Sequence, residues 1–288
     1  MKKVFSMFSL VAMIFFVSCE SEPAWTPLFN GADFTGWEVF IGVPHPSVDV
    51  PGMTLNENGR YESALGLGND PLGVFTVVEV DGAPALRVSG QIYGSFATKE
   101  EYGNYHLRLE MKWGEQKWAP RDTLPRNSGL LYHGIGEFGK AMRTWKVSHE
   151  CQVMENDFGD SYRMGETYCD ITASRVNENE RYFFDSNAPK VSFGPNSAGL
   201  PPICKRNPKN EKPHGEWNTI ELLCYEGTSI HVINGVVNMI NTNSHIVVDG
   251  KEQPLAKGVI QLQSEGAELF YRNIEIRAID KIPAKYLQ

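Results

Sequence analysis

The segment Tyr105-His-Leu-Arg-Leu-Glu-Met-Lys-Trp113 alternates apolar and polar residues without a break. A strand sends successive side chains to opposite faces. Leu107, Leu109, Met111 and Trp113 therefore read as a buried face, and His106, Arg108, Glu110 and Lys112 as its polar reverse. A helix cannot bury a two-residue period, because its neighbours recur at three and four residues. Shorter runs of the same kind fall at residues 85–88, 129–133, 146–154, 218–225, 229–233, 259–263 and 269–277. Asn234-Gly235 tolerates the positive φ of a tight hairpin turn leading into Val236. No long helical periodicity and no internal repeat appear. Regularly spaced strands with such turns predict an all-β sandwich or jelly roll of two antiparallel sheets.

Two strands carry hydrogen-bonding groups where a half-buried strand would carry apolar ones: Asn127-Ser-Gly-Leu-Leu-Tyr-His133 and the run Ser148-His-Glu-Cys-Gln-Val-Met154. Ser148, Glu150 and Gln152 share one face, and His149, Cys151 and Val153 the other. A face bearing carboxylate, amide and imidazole groups suits a hydrated ligand such as a sugar. Glu150 sits mid-strand, where a carboxylate without partners is costly to bury. It therefore meets a ligand, a cation, or one of Arg108, Lys112 and Arg126, and as a general base it would line an open basin wide enough for a monosaccharide. His133 offers an acid or hydrogen-bond donor that titrates near neutrality, or else a histidine satisfied in the core. His149 alternates against Glu150 and reads as packed.

Beyond the second strand, Glu155, Asn156, Asp157 and Asp160 form an oxygen-rich loop. Hard cations prefer such ligands, so a divalent metal is admitted there, through Glu155 and Asp157, although the spacing matches no calcium loop. Lys112, Arg126 and Lys212 could stabilise developing negative charge, and Tyr132 and Gln152 could bind substrate. Trp118, in a loop ending at Pro120, suits stacking on a sugar face, whereas Trp113 and Trp217 read as core. Residues 42–75 and 185–215 are rich in Gly, Pro and Asn, and loops of that length are commonly functional. They could wall the rim of a concave sheet.

The chain opens with Lys2 and Lys3, then an apolar run from Val4 to Val17 that is short for the roughly 20 residues of a membrane helix. Residues 1–18 read as a secretory signal. Removing them leaves 25 basic against 35 acidic residues, a formal charge of -10. An acidic chain without a basic stripe argues against nucleic acid as a partner. Cys151, Cys169, Cys204 and Cys224 remain besides Cys19. They admit three disulfide pairings in an oxidising compartment, or none, and no spacing suggests zinc.

The ending Phe-Val-Ser-Cys19 resembles a bacterial lipobox, which implies a lipid-modified Cys19, a tether over 19–24 and one domain over 25–288, held in the cell envelope as an outer-membrane lipoprotein. Other motifs resemble the 3-keto-disaccharide hydrolase domain family: Pro27-Leu-Phe-Asn-Gly-Ala-Asp-Phe-Thr-Gly-Trp37, Gly103 through Trp113, Asn127-Ser-Gly-Leu-Leu-Tyr132, Lys212-Pro-His-Gly-Glu-Trp-Asn218, Ile233-Asn-Gly235, Gly258-Val-Ile-Gln-Leu-Gln263 and Tyr271-Arg-Asn-Ile274. The resemblance implies a concanavalin A-like fold and cleavage of glycosides whose C3 hydroxyl has been oxidised to a ketone. Such a ketone acidifies the C2 hydrogen, so a base can remove it, the aglycone can leave from C1, and water can then add. That route needs a base, enolate stabilisers and an acid, with Glu150 and His133 as first candidates. It does not need the paired carboxylates of ordinary glycosidases. A non-catalytic carbohydrate-binding lipoprotein is the rival reading. The chain departs from the family pattern at His133 and in its long 160–212 stretch, which leaves the exact substrate open.

Overall fold

A computed structural model describes residues 23–287. The expected signal peptide and Cys19 lie outside the described residues. Two packed sheets form the body. In one, neighbouring strands run Gly66–Leu67, Trp37–Ile41, Gly94–Thr98, Val259–Ser264, Asn127–Ile135, Val147–Met154, Ser161–Met164, Ile203–Lys205 and Tyr182–Phe184. In the other they run Phe75–Val80, Ala83–Val88, Ala267–Ala278, Tyr105–Lys117, Asn218–Tyr225, Thr228–Ile233 and Val236–Val248. All these pairings are antiparallel except the last of the first sheet, which is parallel. The far half of Val236–Val248 leaves its sheet to pair with Thr167–Ser174 and Lys251–Pro254, joining the two layers along one edge.

Period-two patterning decides which residues meet between the layers. Leu107, Leu109, Met111 and Trp113 are all buried, as their alternation requires, and they pack into one core with Phe96, Leu130, Cys151 and Leu262 of the facing sheet. Removing one such side chain, as in Leu109→Ala, costs about 2–5 kcal/mol through lost transfer energy and the cavity left behind. The interior also contains polar bridges. The Tyr132 hydroxyl lies 2.7 Å from Ser229 Oγ and 3.1 Å from His231 Nε2, tying one sheet to the other. His149, on the same inner face, is 2.6 Å from Ser244 Oγ and is kept neutral by burial and by the charge of Arg163. The four thiols of the described residues are free and buried.

Trp217 differs from expectation. It is half-buried on the outer face of the second sheet, with Arg272 stacked 3.8 Å above its ring and its indole N–H donating to Asp81. Residues 42–75 remain irregular apart from the short Gly66–Leu67 strand, while 185–215 contains the strands Lys190–Phe193 and Ile203–Lys205.

Candidate active site

The outward face of the first sheet is laid out in rows. Directly paired residues in an antiparallel ladder point the same way. Gln261, Leu131, Glu150 and Tyr162 occupy successive positions of one row. Gln263, Gly129 and Gln152 form the next, with Ser95 beyond Gln263. Gly129 is the permissive position. A Cβ there would collide with Glu150 Oε1 and Gln263 Oε1, so the missing side chain is what lets these groups converge. Asn127 lies one row further along and donates a hydrogen bond to Glu265, which follows directly on the Val259–Ser264 strand.

Polar groups on this face lack partners. Gln152 Oε1, Gln263 Oε1, Asn127 Oδ1 and Gln261 Nε2 are buried, and within the described chain none of them makes a hydrogen bond. Leaving such an atom unsatisfied costs roughly 1–3 kcal/mol, and native interiors contain few of them. Four orphans around two carboxyl groups leave hydrogen bonds for ordered water or a ligand's hydroxyls to complete.

The two carboxyl groups titrate unusually. Burial raises Glu265 to about 7, with Arg121 and the Asn127 hydrogen bond acting in the opposite direction. Arg121 Nη1 stands 4.0 Å from Glu265 Oε1. Glu150 is pushed well above the ordinary carboxylate range by burial and by the negative charge of Glu265, against a smaller pull from Arg163. Glu150 therefore holds its proton more firmly than an ordinary carboxyl group, while Glu265 exchanges its own near neutrality. Two carboxyls whose environments separate their acidities are the arrangement from which acid and base roles are made.

The expected site residues separate into two groups. Glu150 and Gln152 stand together on the polar face, although Glu150 is only 2 % exposed and lies under cover instead of in an open basin. The others lie elsewhere. His133, at a positive φ where the strand bulges, is buried beside Tyr105 and Tyr132, with Nδ1 3.1 Å from the Leu255 carbonyl. Burial lowers its pKa to about 4, so it is neutral and faces the core. Tyr132 lies between the sheets. Lys112 is on the outer face of the second sheet, 3.1 Å from Asp81. Arg126 pairs with Glu155 at 2.8 Å. Lys212 Nζ donates to the Trp217 carbonyl, and the Trp118 indole N–H donates to the Ser89 carbonyl, which fixes that ring against the sheet edge.

The oxygen-rich loop does not fit a cation. Glu155 is spent on Arg126, and Asp157 and Asp160 on Lys205 and Arg206, at 2.6–3.2 Å. Among the described residues no group of three or more His, Cys, Asp or Glu side chains could hold a metal ion. No chemical step is assigned to one. Glu265 and Arg121 are the residues that sequence reasoning missed. Glu265 was legible in principle, since Gln261, Gln263 and Glu265 continue a two-residue period along one face.

The sequence profile of the 3-keto-alpha-glucoside-1,2-lyase-like domain matches residues 24–277. The chain belongs to that family. Membership makes it a carbohydrate-active domain of glycosidase type with a sugar ligand. Its similarity to a 3-keto-disaccharide hydrolase of Bacteroides thetaiotaomicron is 22 % identity, covering 88 % of this chain and 78 % of that protein. Among solved structures, a glycosyl hydrolase candidate from Parabacteroides distasonis is 22 % identical, with a TM-score of 0.45 over 89 % of this chain and 94 % of that one. A Bacillus subtilis protein of unknown function with a galectin-like fold is 13 % identical, with a TM-score of 0.45 over 90 % of this chain and 97 % of that one.

Proposed function

We propose that this protein cleaves 3-keto-glycosides by elimination and hydration on the outward face of its first sheet. The observation that carries the proposal is the Glu150–Glu265 pair amid unsatisfied amides. Ionised Glu265 removes the C2 hydrogen, and the electron pair delocalises onto the C3 oxygen. The C1–oxygen bond then breaks, a C1–C2 double bond forms in conjugation with the C3 ketone, and Glu150 gives its proton to the departing oxygen. Addition of water runs in the opposite sense. Glu150, now ionised, takes a proton from the water that attacks C1, and Glu265 returns a proton to C2. Each residue ends in its starting state. Arg121 and the Gln261 Nε2 amide supply the donors that a developing enolate requires, and the unpartnered oxygens of Asn127, Gln152 and Gln263 accept from the sugar's hydroxyls. Glu150 thus acts as the acid, because its environment holds a proton on it where a base would have to lose one.

Incubation with a 3-ketoglucoside tests the reading. Released aglycone with a transient ultraviolet-absorbing enone is expected, while the unoxidised glucoside stays intact. Binding of the 3-ketoglucoside without any release would replace the reading with that of a carbohydrate-binding protein. We further infer an envelope lipoprotein anchored through Cys19, supported by the lipobox-like ending at that residue. Metabolic labelling with an alkynyl fatty acid should mark the wild-type chain and leave Cys19→Ala unlabelled. Equal labelling of both would remove the anchor.

A further inference from the structure

A cavity of about 600 Å³, within the size range of small-molecule sites, is lined in part by Ala119 and Pro120. Pro120 precedes Arg121, whose Nη1 stands 4.0 Å from Glu265 Oε1 on the other side. Tyr93 lines the cavity, faces Arg121, and is raised to about 12 by burial and by the charge of Glu265. The cavity's outer wall is the irregular 42–61 segment, and it is built closely. Gly42 donates from its backbone N–H to the Tyr93 carbonyl at 2.8 Å, and a Cβ at Gly42 would strike Thr144 Oγ1. The Tyr61 hydroxyl donates to the Val48 carbonyl, and Asn56 Oδ1 accepts from the backbone N–H groups of Asn58 and Arg60.

The lining is chemically one-sided. Pro44, Pro46, Tyr61, Ile92 and Met142 give it apolar and aromatic walls. Arg60 and Arg143 give it positive charge, His45 adds an imidazole, and no Asp or Glu lines it, although the whole chain is acidic at -8. Among the described residues neither Arg60 nor Arg143 has a side-chain hydrogen bond or ion pair. Met142 and Arg143 both hold positive φ angles, of 47° and 63°. A left-handed backbone at two consecutive bulky residues is strained and persists where the surroundings impose it. Here the backbone hydrogen bonds between Ala141 and Trp145 close that turn.

We propose that this cavity receives the leaving group, and that the leaving group is an aromatic ring bearing an anionic substituent such as a carboxylate. The rings and prolines take the flat apolar body, and the guanidinium groups take the charge, the geometry Arg suits best. An aryloxide also suits elimination. A phenol loses its proton near pH 10, as the Tyr side chain does, so it departs with less help than an aliphatic alkoxide. The leaving-group role rests on the proposed elimination; the ligand's chemistry rests on the cavity alone.

Two 3-ketoglucosides of the same anomeric configuration, methyl and 4-carboxyphenyl, separate these elements. The wild type should show a kcat/KM at least ~10-fold higher for the carboxyphenyl compound, a gain on the scale of one charge-assisted contact. Arg60→Ala/Arg143→Ala should lose about 10-fold in kcat/KM on the carboxyphenyl compound, the scale of one charge-assisted contact, while turning over the methyl compound at the wild-type rate. Equal kcat/KM for both compounds, or equal losses on both in the double variant, would overturn the proposal. If neither compound is cleaved, the elimination reading fails, and calorimetry with the unoxidised 4-carboxyphenyl and methyl glucosides still decides the cavity. A ~10-fold tighter association of the carboxyphenyl glucoside, lost in the double variant, supports it; indistinguishable association overturns it.

Discussion

The two outward faces of the sandwich carry the same sequence signature and opposite physical states. On the second sheet, Arg108 pairs with Glu275 at 2.7 Å, Lys112 with Asp81, Arg272 with Glu110, and His106 with Glu221. Every one of those groups has a partner. On the first sheet, Glu150 and Glu265 repel each other among Gln152, Gln263, Gln261 and Asn127, each of which carries an unsatisfied atom. Alternation reveals that a strand has a polar face. Pairing reveals whether that face is finished, and an unfinished one has its partner still to come.

The largest effect expected from this contrast is on turnover. Glu265→Gln should lower kcat by about 10²–10⁴, the usual contribution of a positioned base or acid. Glu110→Gln on the paired face should stay within about twofold. Comparable losses at both positions would erase the distinction between the faces.

Gly129→Ala comes next. Its methyl group must displace the Glu150 and Gln263 side chains, and overpacking of this kind costs about 1–3 kcal/mol. Activity should fall with that displacement, by at least ~10-fold on the scale set by misplaced catalytic groups. Denaturant unfolding and turnover measured on the same variant check both halves; a variant with normal kcat would mean that the convergence over Gly129 has no catalytic part.

Stability should also depend on pH in a definite sense. Glu265 titrates near 7 in the folded chain, against an ordinary value of 4.5, so the folded state binds more protons than the unfolded state between those values. The unfolding free energy should therefore fall as pH rises from about 4.5 to about 7, with Glu150 acting in the same direction. Glu265→Gln should flatten part of that slope. Activity should rise over the upper part of the same interval, as Glu265 ionises. A wild-type stability that climbs across it would contradict the buried pair.

The smallest effect belongs to the finished face. Arg108 is 46 % exposed at its side chain and Glu275 27 %, and pairs of this kind contribute about 0–1 kcal/mol. Arg108→Ala should shift the chemical unfolding midpoint little. A large shift would show that the ladder is structural to a degree its exposure does not suggest.

Much of this architecture is legible in the sequence for one reason. Period-two patterning is imposed by burial, so residues 105–113 and 148–153 read correctly to the face. The site was half legible by the same rule, which placed Glu150 and Gln152 together. The remainder depended on what alternation cannot carry. His133 is turned inward by a positive φ at a bulge. Lys112 and Arg126 are consumed by carboxylates distant in sequence, Asp81 and Glu155. The carboxylate loop is neutralised by Lys205 and Arg206, which stand at and just past the end of the Ile203–Lys205 strand, in a stretch whose sequence reads as irregular. Glu265 follows the end of its strand, where the pattern runs out although the direction of the side chain persists.

The most direct test of the carboxylate pair follows the hydrogen on C2. A 3-ketoglucoside deuterated at that carbon should yield 3-ketoglucose that has lost its deuterium to solvent in step with aglycone release, and Glu265→Gln should release neither. Product that keeps its C2 deuterium in full, with no enone formed on the way, would mean that the bond at C1 breaks without proton abstraction at C2.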